Sequence, residues 1–202
     1  IKAGDRVACG GVGYANHAEI VCVPRNLVVK MPDGLDFKQA ASVTLGAIAM
    51  QGVRRATPTF GETVAVIGLG LVGQHTPQIL KDAGCHVIGM DLIESRVELA
   101  QSLGMDCGVI IGKTDPVEQV MRYTSGMGAD ATIITAATQS DLPVQQAMEM
   151  TRKKGKVVVV GDVGLHLQRQ PFYEKEIDFL ISCSYGPGRY DETYEEEGID
   201  YP

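Results

Sequence analysis

One stretch limits the folds open to this chain more than any other: Glu62 to Asp91, ETVAVIGLGLVGQHTPQILKDAGCHVIGMD. Thr63 to Ile67 is a short Val- and Ile-rich run, the pattern of a strand buried on both faces. It leads into Gly68-Leu69-Gly70-Leu71-Val72-Gly73, then a helical segment to about Asp82, closed by Gly84. A second apolar run, His86 to Met90, ends at Asp91. Strand, glycine turn, helix, strand and acid together make a βαβ unit suited to a dinucleotide. Gly68 permits the turn off the strand, Gly70 leaves room for a pyrophosphate beside the backbone, and Gly73 lets the helix pack closely. The first-turn N–H groups of that helix have no intrahelical acceptors and favour an anion. Asp91 follows Gly73 at close to the ~20-residue separation expected of the acid that accepts from a ribose 2′-hydroxyl. A carboxylate there repels a 2′-phosphate, so NAD is expected over NADP, with nearby Arg96 softening the preference or standing as a solvated position on the next helix. The competing accounts of the motif are a tight turn that binds nothing and one that holds S-adenosylmethionine. Pro77 has no N–H for the Gly73 carbonyl and predicts a mild kink or a loosened first turn.

The same grammar repeats downstream. Glu94 to Leu103 reads as a helix with Val97, Leu99, Ala100 and Leu103 on one face, and Cys107 to Ile111 as a strand. Asp115 caps a helix with Pro116 at its first position, running to about Thr124. Ala131 to Thr135 is a strand, Asp141 to Arg152 a helix, Val157 to Val160 a strand and Ile177 to Cys183 a sixth strand. The alternation predicts an α/β fold with a doubly wound, parallel, six-stranded sheet in the order 3-2-1-4-5-6. Ligands of such sheets lie across the carboxyl ends of the strands, so Thr135-Ala136 and Gly161-Asp162-Val163 are expected to flank the nicotinamide half. Strand six is an edge in that order. The stretch 177–185 carries only Asp178 as a charge, so it is poorly defended and is expected to pair with a second copy in a two-fold homodimer.

Upstream, Arg6 to Cys9, Tyr14 to Val23 and Leu27 to Met31 have strand character, and Pro32-Asp33-Gly34 closes the last. Three short strands cannot bury a core alone, so 1–34 reads as the remnant of an all-β domain. A linking helix is expected within 35–61, N-capped by Asp36 and broken near Gly46, with the domain boundary between Gly34 and Gly61. Residues 62–190 form the expected dinucleotide-binding domain, and 191–202 an acidic, solvated tail. Both ends read as cuts through a longer protein. A net charge of −7 and a pI near 5.1 argue against nucleic acid as a partner. Arg54-Arg55 and Arg152-Lys153-Lys154 fall near predicted helix ends, where cations are favourable. No apolar run reaches ~18 residues and no signal peptide is visible, so a cytoplasmic location is expected. The five cysteines, Cys9, Cys22, Cys85, Cys107 and Cys183, lack metal-ligand spacing and read as buried free thiols.

Gly4-Asp5-Arg6-Val7, Ala18-Glu19 followed by Val23-Pro24, Pro32-Asp33-Gly34 and the glycine loop together resemble the medium-chain dehydrogenase/reductase superfamily, the zinc-type alcohol dehydrogenase relatives. Tyr14 to Glu19, Val43 to Ile48 and Ser184 to Asp191 are most similar to the bacterial bi-domain oxidoreductases. The resemblance implies a Rossmann domain joined to remnant strands of a GroES-like β domain, and a homodimer. It also implies an NAD(H)-dependent oxidoreductase acting on a small alcohol, carbonyl or enone. That family's zinc ligand on the linking helix falls at Thr44, or at Val43. Neither is a good zinc donor and no structural-zinc cysteine cluster is present, so no zinc is expected in this segment. Thr44 is a candidate to hydrogen-bond near the nicotinamide, with capping or packing as the plainer role. No catalytic acid or base is identifiable: Tyr14 and His17 are weak candidates, and His75, His86 and His166 read as surface or loop residues. The alternative functions are an NAD-binding sensor or interaction module without chemistry and, more distantly, a methyltransferase.

Overall fold

A computed structural model describes residues 1–186 and 188–199. Pro187 of the Ser184–Asp191 segment, and Asp200 to Pro202 of the acidic tail, lie outside the described residues. The chain falls into two compact units, Ile1–Ile48 with the chain from Cys183 onward, and Ala49–Ser182. In the first, Val7–Cys9 (β1) and Val28–Lys30 (β2) pair antiparallel. Phe37–Ala40 (α1) opens with a capping box: the Asp36 carboxylate accepts from Gln39 N at 2.7 Å and the Gln39 carboxamide accepts from Asp36 N at 3.1 Å. Val43–Ala56 (α2) continues into the second unit. The break therefore falls at Ala41-Ser42, not at Gly46, because the Ser42 hydroxyl donates to the Gln39 carbonyl and Gly46 N donates to Ser42 O inside α2. The strand expected over Tyr14 to Val23 does not form. Its alternating pattern has no neighbouring strand to complete a ladder among the described residues, and Ile20 is left 91% exposed.

In the second unit Thr63–Ile67 (β3), His86–Asp91 (β4), Cys107–Ile110 (β5), Ala129–Ile134 (β6), Thr151–Val159 (β7) and Asp178–Ile181 (β8) form one parallel sheet. Its order is β5-β4-β3-β6-β7-β8, the doubly wound arrangement. Leu71–Asp82 (α3), Glu94–Ser102 (α4), Pro116–Tyr123 (α5), Leu142–Met150 (α6) and Arg169–Lys175 (α7) cover it. Ala65 and Ile67 pack with Val120 of α5 and Val144 of α6, while Val64 and Val66 pack with Val53 of α2 and Leu80 of α3. Successive β3 residues thus enter opposite cores, which is why the strand reads as an unbroken apolar run.

Several local expectations change. On α4 only Val97 and Ala100 are buried, and Leu99 and Leu103 face outward, since Leu99 lies half a turn from Val97. Helix α6 stops at Met150 rather than Arg152. The Thr151 hydroxyl donates to the Ala147 carbonyl at 2.6 Å, and Lys175 Nζ donates to the carbonyls of Met148, Glu149 and Thr151. Arg152-Lys153-Lys154 consequently open a strand, where Arg152 pairs with Asp130 at 2.6 Å. Helix α7 was not expected; Pro171 near its start and left-handed Glu176 just past its end are its only local signals. Helix α3 runs through Pro77, with the Thr76 hydroxyl and the Gln78 amide donating to the Val72 and Gln74 carbonyls on either side. All five cysteines are free but only Cys85 is buried; Cys22 and Cys183 are exposed. The chain from Cys183 leaves the sheet unit, where the expected dinucleotide domain ran to 190. Within the tail, Glu192–Glu195 (α8) buries Glu195, which accepts from the Tyr185 hydroxyl at 2.6 Å and pairs with Arg189 at 3.2 Å. Among the described residues no helix is long and apolar enough to cross a membrane.

Candidate functional site

The glycine loop sits where the carboxyl ends of β3, β4 and β6 come together, and both neighbouring strands pin it. Gly68 N donates to the Met90 carbonyl at 2.8 Å, Thr135 N donates to Ile67 O at 2.9 Å, and the Thr135 hydroxyl donates to Gly68 O. Gly68 has φ +94°, and a Cβ there would lie 2.7 Å from Ala136 N. A Cβ on Gly73 would lie 2.0 Å from Gly68 O, whereas one on Gly70 meets nothing within 4 Å. Gly70 is also the N-cap of α3 and offers no side chain to the first-turn N–H groups. An open flank beside bare helix donors suits a phosphate group.

Asp91, at the end of β4, is 6% exposed. Its Oδ2 accepts from Leu69 N at 2.7 Å and its Oδ1 from Ile93 N at 2.9 Å, and the Arg96 guanidinium stands 3.6 Å away. The carboxylate therefore braces the glycine loop as well as facing the cavity. A carboxylate has about four acceptor sites, so two backbone donors leave capacity for a ligand hydroxyl. The Gln74 amide ties the same region together by donating to Leu69 O and Arg96 O, both at 2.9 Å.

These residues border a cavity of about 490 Å³. It brings together Gly68, Gly70, Asp91, Arg96, Thr135 and Ala136 of the expected set. Sequence reasoning missed Leu92 and Ile111, and also Thr138, Ser140, Leu142, Pro143 and Gln146 on the way into α6. Leu92 could have been found as the residue after Asp91; nothing in the 138–146 stretch marks it out. Leu71, Val72 and Gly73 form the first turn of α3 and present N–H groups, the Leu71 side chain being 74% exposed.

Four expected residues are placed elsewhere. Gly161, Asp162 and Val163 do not line the cavity but back its wall. Gly161 packs so tightly that a Cβ would lie 2.0 Å from Ala136 O, Asp162 O accepts from Thr138 N at 2.8 Å, and Val163 bridges to Thr138. The reason is the register of β6 and β7, which presses the loop after β7 onto the one after β6. Thr44 lies in the first unit, bordering a groove with Ala8, Val28 and Tyr185. Its hydroxyl would sit 3.1 Å from a Cβ on Gly10. Tyr14 and His17 belong to the same unit. The Tyr14 hydroxyl donates to Glu196, and that hydrogen bond raises its pKa. Among the described residues no three His, Cys, Asp or Glu side chains are grouped to hold a metal. Val43 and Thr44, the positions that the resemblance gives for a zinc ligand, carry an isopropyl group and a hydroxyl.

The zinc-binding dehydrogenase family model matches residues 72–197. The chain is 31% identical over 144 residues to the zinc-type alcohol dehydrogenase-like protein YdjJ of Escherichia coli (strain K12), covering 71% of this chain and 41% of that protein. It is 30% identical over 189 residues to an alcohol dehydrogenase of Geobacillus stearothermophilus, covering 80% of this chain and 55% of that one. Among solved structures, 2R,3R-butanediol dehydrogenase from Bacillus subtilis superimposes with a TM-score of 0.72 at 28% identity, covering 80% of this chain and 47% of that chain. The chain spans about half the length of the curated relatives it matches.

Proposed function

The chain belongs to the zinc-binding dehydrogenase family of the medium-chain dehydrogenase/reductase superfamily, and from that membership we propose that it is the cofactor-binding part of an NAD(H)-dependent oxidoreductase acting on an alcohol or carbonyl compound. The observation that carries this reading is the pairing, in one cavity, of the open flank of Gly70 with the braced carboxylate of Asp91. The N–H groups of Leu71, Val72 and Gly73 hold the pyrophosphate. The remaining acceptor sites of Asp91 take the ribose hydroxyls, and its charge disfavours a 2′-phosphate. Arg96 lies beside that ribose and moderates the preference. Thr135 and Ala136 border the path toward the nicotinamide. Bound nicotinamide supplies hydride transfer at its ring C4. An alcohol dehydrogenase and a butanediol dehydrogenase among the relatives support the substrate class. Neither Val43 nor Thr44 is a good zinc donor, and hydride transfer is read here without zinc.

The test is a fluorescence titration of the protein with NADH and NADPH. Wild type is expected to bind NADH more tightly. Asp91→Ala is expected to weaken NADH by about tenfold, the worth of a hydrogen bond to a charged group, and NADPH less. Equal losses for both would remove the assigned role of Asp91. Hydride turnover by the full-length protein on a panel of alcohols and aldehydes separates an enzyme from a module that only binds.

A further inference from the structure

The polar side chains bordering the cavity are engaged by the protein, with one exception. Asp91 accepts from Leu69 and Ile93 and faces Arg96, and Thr135 donates to Gly68 O. The Thr138 hydroxyl accepts from Ser140 N at 3.2 Å and the Ser140 hydroxyl from Leu142 N at 3.1 Å. The carboxamide of Gln146, half-buried on α6, has no hydrogen-bond partner among the described residues. The same cavity has apolar lining from Leu92, Ile111, Leu142 and Pro143. The carbonyl and N–H groups of Gln146 are therefore free to meet a ligand that enters the cavity.

The sheet order says which part of a dinucleotide reaches this apolar lining. The glycine loop lies at the end of β3, Asp91 at the end of β4, and Ile111 just past the end of β5, so the three follow one another across the sheet. A ligand with its pyrophosphate at Gly70 and its ribose at Asp91 directs its purine toward Leu92 and Ile111. We propose that Gln146 reads the adenine base of the cofactor, its carbonyl accepting from the N6 amine and its N–H donating to a ring nitrogen. Carboxamides make this bidentate pairing with adenine elsewhere. The apolar residues hold the ring, and Gln146 selects which base it is. This inference rests on the dinucleotide reading above.

The test compares binding of NAD with that of its 1,N6-etheno derivative, in which N1 and the N6 amine are closed into a third ring. Both are measured by calorimetry on wild type, Gln146→Met and Gln146→Glu, with thermal unfolding as the check on folding. Wild type is expected to prefer NAD. Gln146→Met keeps the length of the side chain and removes its hydrogen bonds, so it is expected to narrow the preference by about tenfold, through loss of NAD affinity. Gln146→Glu still accepts from N6 but cannot donate, and is expected to fall between. The ratio of affinities is the readout, which cancels any general effect of the substitution. An unchanged ratio in Gln146→Met, with NAD still bound, overturns the role of Gln146 and leaves the dinucleotide reading standing. Failure of wild type to bind either ligand removes both.

Discussion

Three glycines of one loop carry unlike constraints, and the space around each separates them. Gly73 has a backbone oxygen where its Cβ would go, at 2.0 Å, and a backbone atom cannot swing aside. Gly73→Ala is therefore expected to cost about 2–3 kcal/mol, as overpacking does, and to lower the thermal midpoint as well as NADH binding. Gly70 has φ −70° and open space beside it. Gly70→Ala is expected to melt near wild type while losing NADH affinity, because its methyl group enters the space proposed for phosphate. Melting curves and NADH titrations of the two variants together separate a folding glycine from a binding glycine; parallel losses in both would refute the distinction. The order of the motif already assigns each glycine a separate job, and the surrounding atoms supply the distances.

At the level of elements, short polar clasps set where helices stop and how they dock on strands. Asp106, after α4, accepts from Lys81 Nζ of α3 at 2.8 and 2.9 Å and from Val87 N of β4 at 2.6 Å. Burial pushes its carboxyl pKa up, but the Lys81 and Val87 hydrogen bonds outweigh this and hold it below the ordinary value of 3.8. A carboxyl group more acidic folded than unfolded contributes stability above the unfolded value, and that contribution drains as pH falls through the lower folded one. Asp106→Asn is expected to be less stable than wild type at neutral pH and to show a shallower loss of stability below pH 3.8. Urea unfolding across that range measures it, and parallel pH profiles would exclude the clasp. The capping of α1 and α5 was legible, since a cap lies within three residues of its partner: Asp36 with Gln39, Asp115 with Glu118. The end of α6 was not, because its carbonyls are closed by Lys175, far along the chain.

At the scale of the whole molecule, the outer strand β8 pairs only with β7 among the described residues. Asp178 is its single charge, and Ile181 is 52% exposed. Such an edge is a template for another strand, and we propose that a second copy of β8 meets it about a two-fold axis. Ile181→Lys is expected to shift the protein from dimer to monomer in size-exclusion chromatography; an unchanged elution volume rules out this pairing. The glycine loop, the alternation of strands and helices and the nearby caps were already determined by the sequence itself, because each depends on spacings shorter than one βαβ unit and on a hydrophobic period that two-sided burial enforces. Tertiary structure decided the rest. Tyr14 to Val23 carries a strand pattern and finds no neighbour among the described residues to complete it. Gly161 was brought tightly against the Ala136 carbonyl. The 138–146 stretch, with no motif of its own, became a wall of the cavity only because β6 stands beside β3. A hydrogen-bond ladder and a cavity are properties of surfaces brought together from distant positions, and no local run of residues specifies the distance between them.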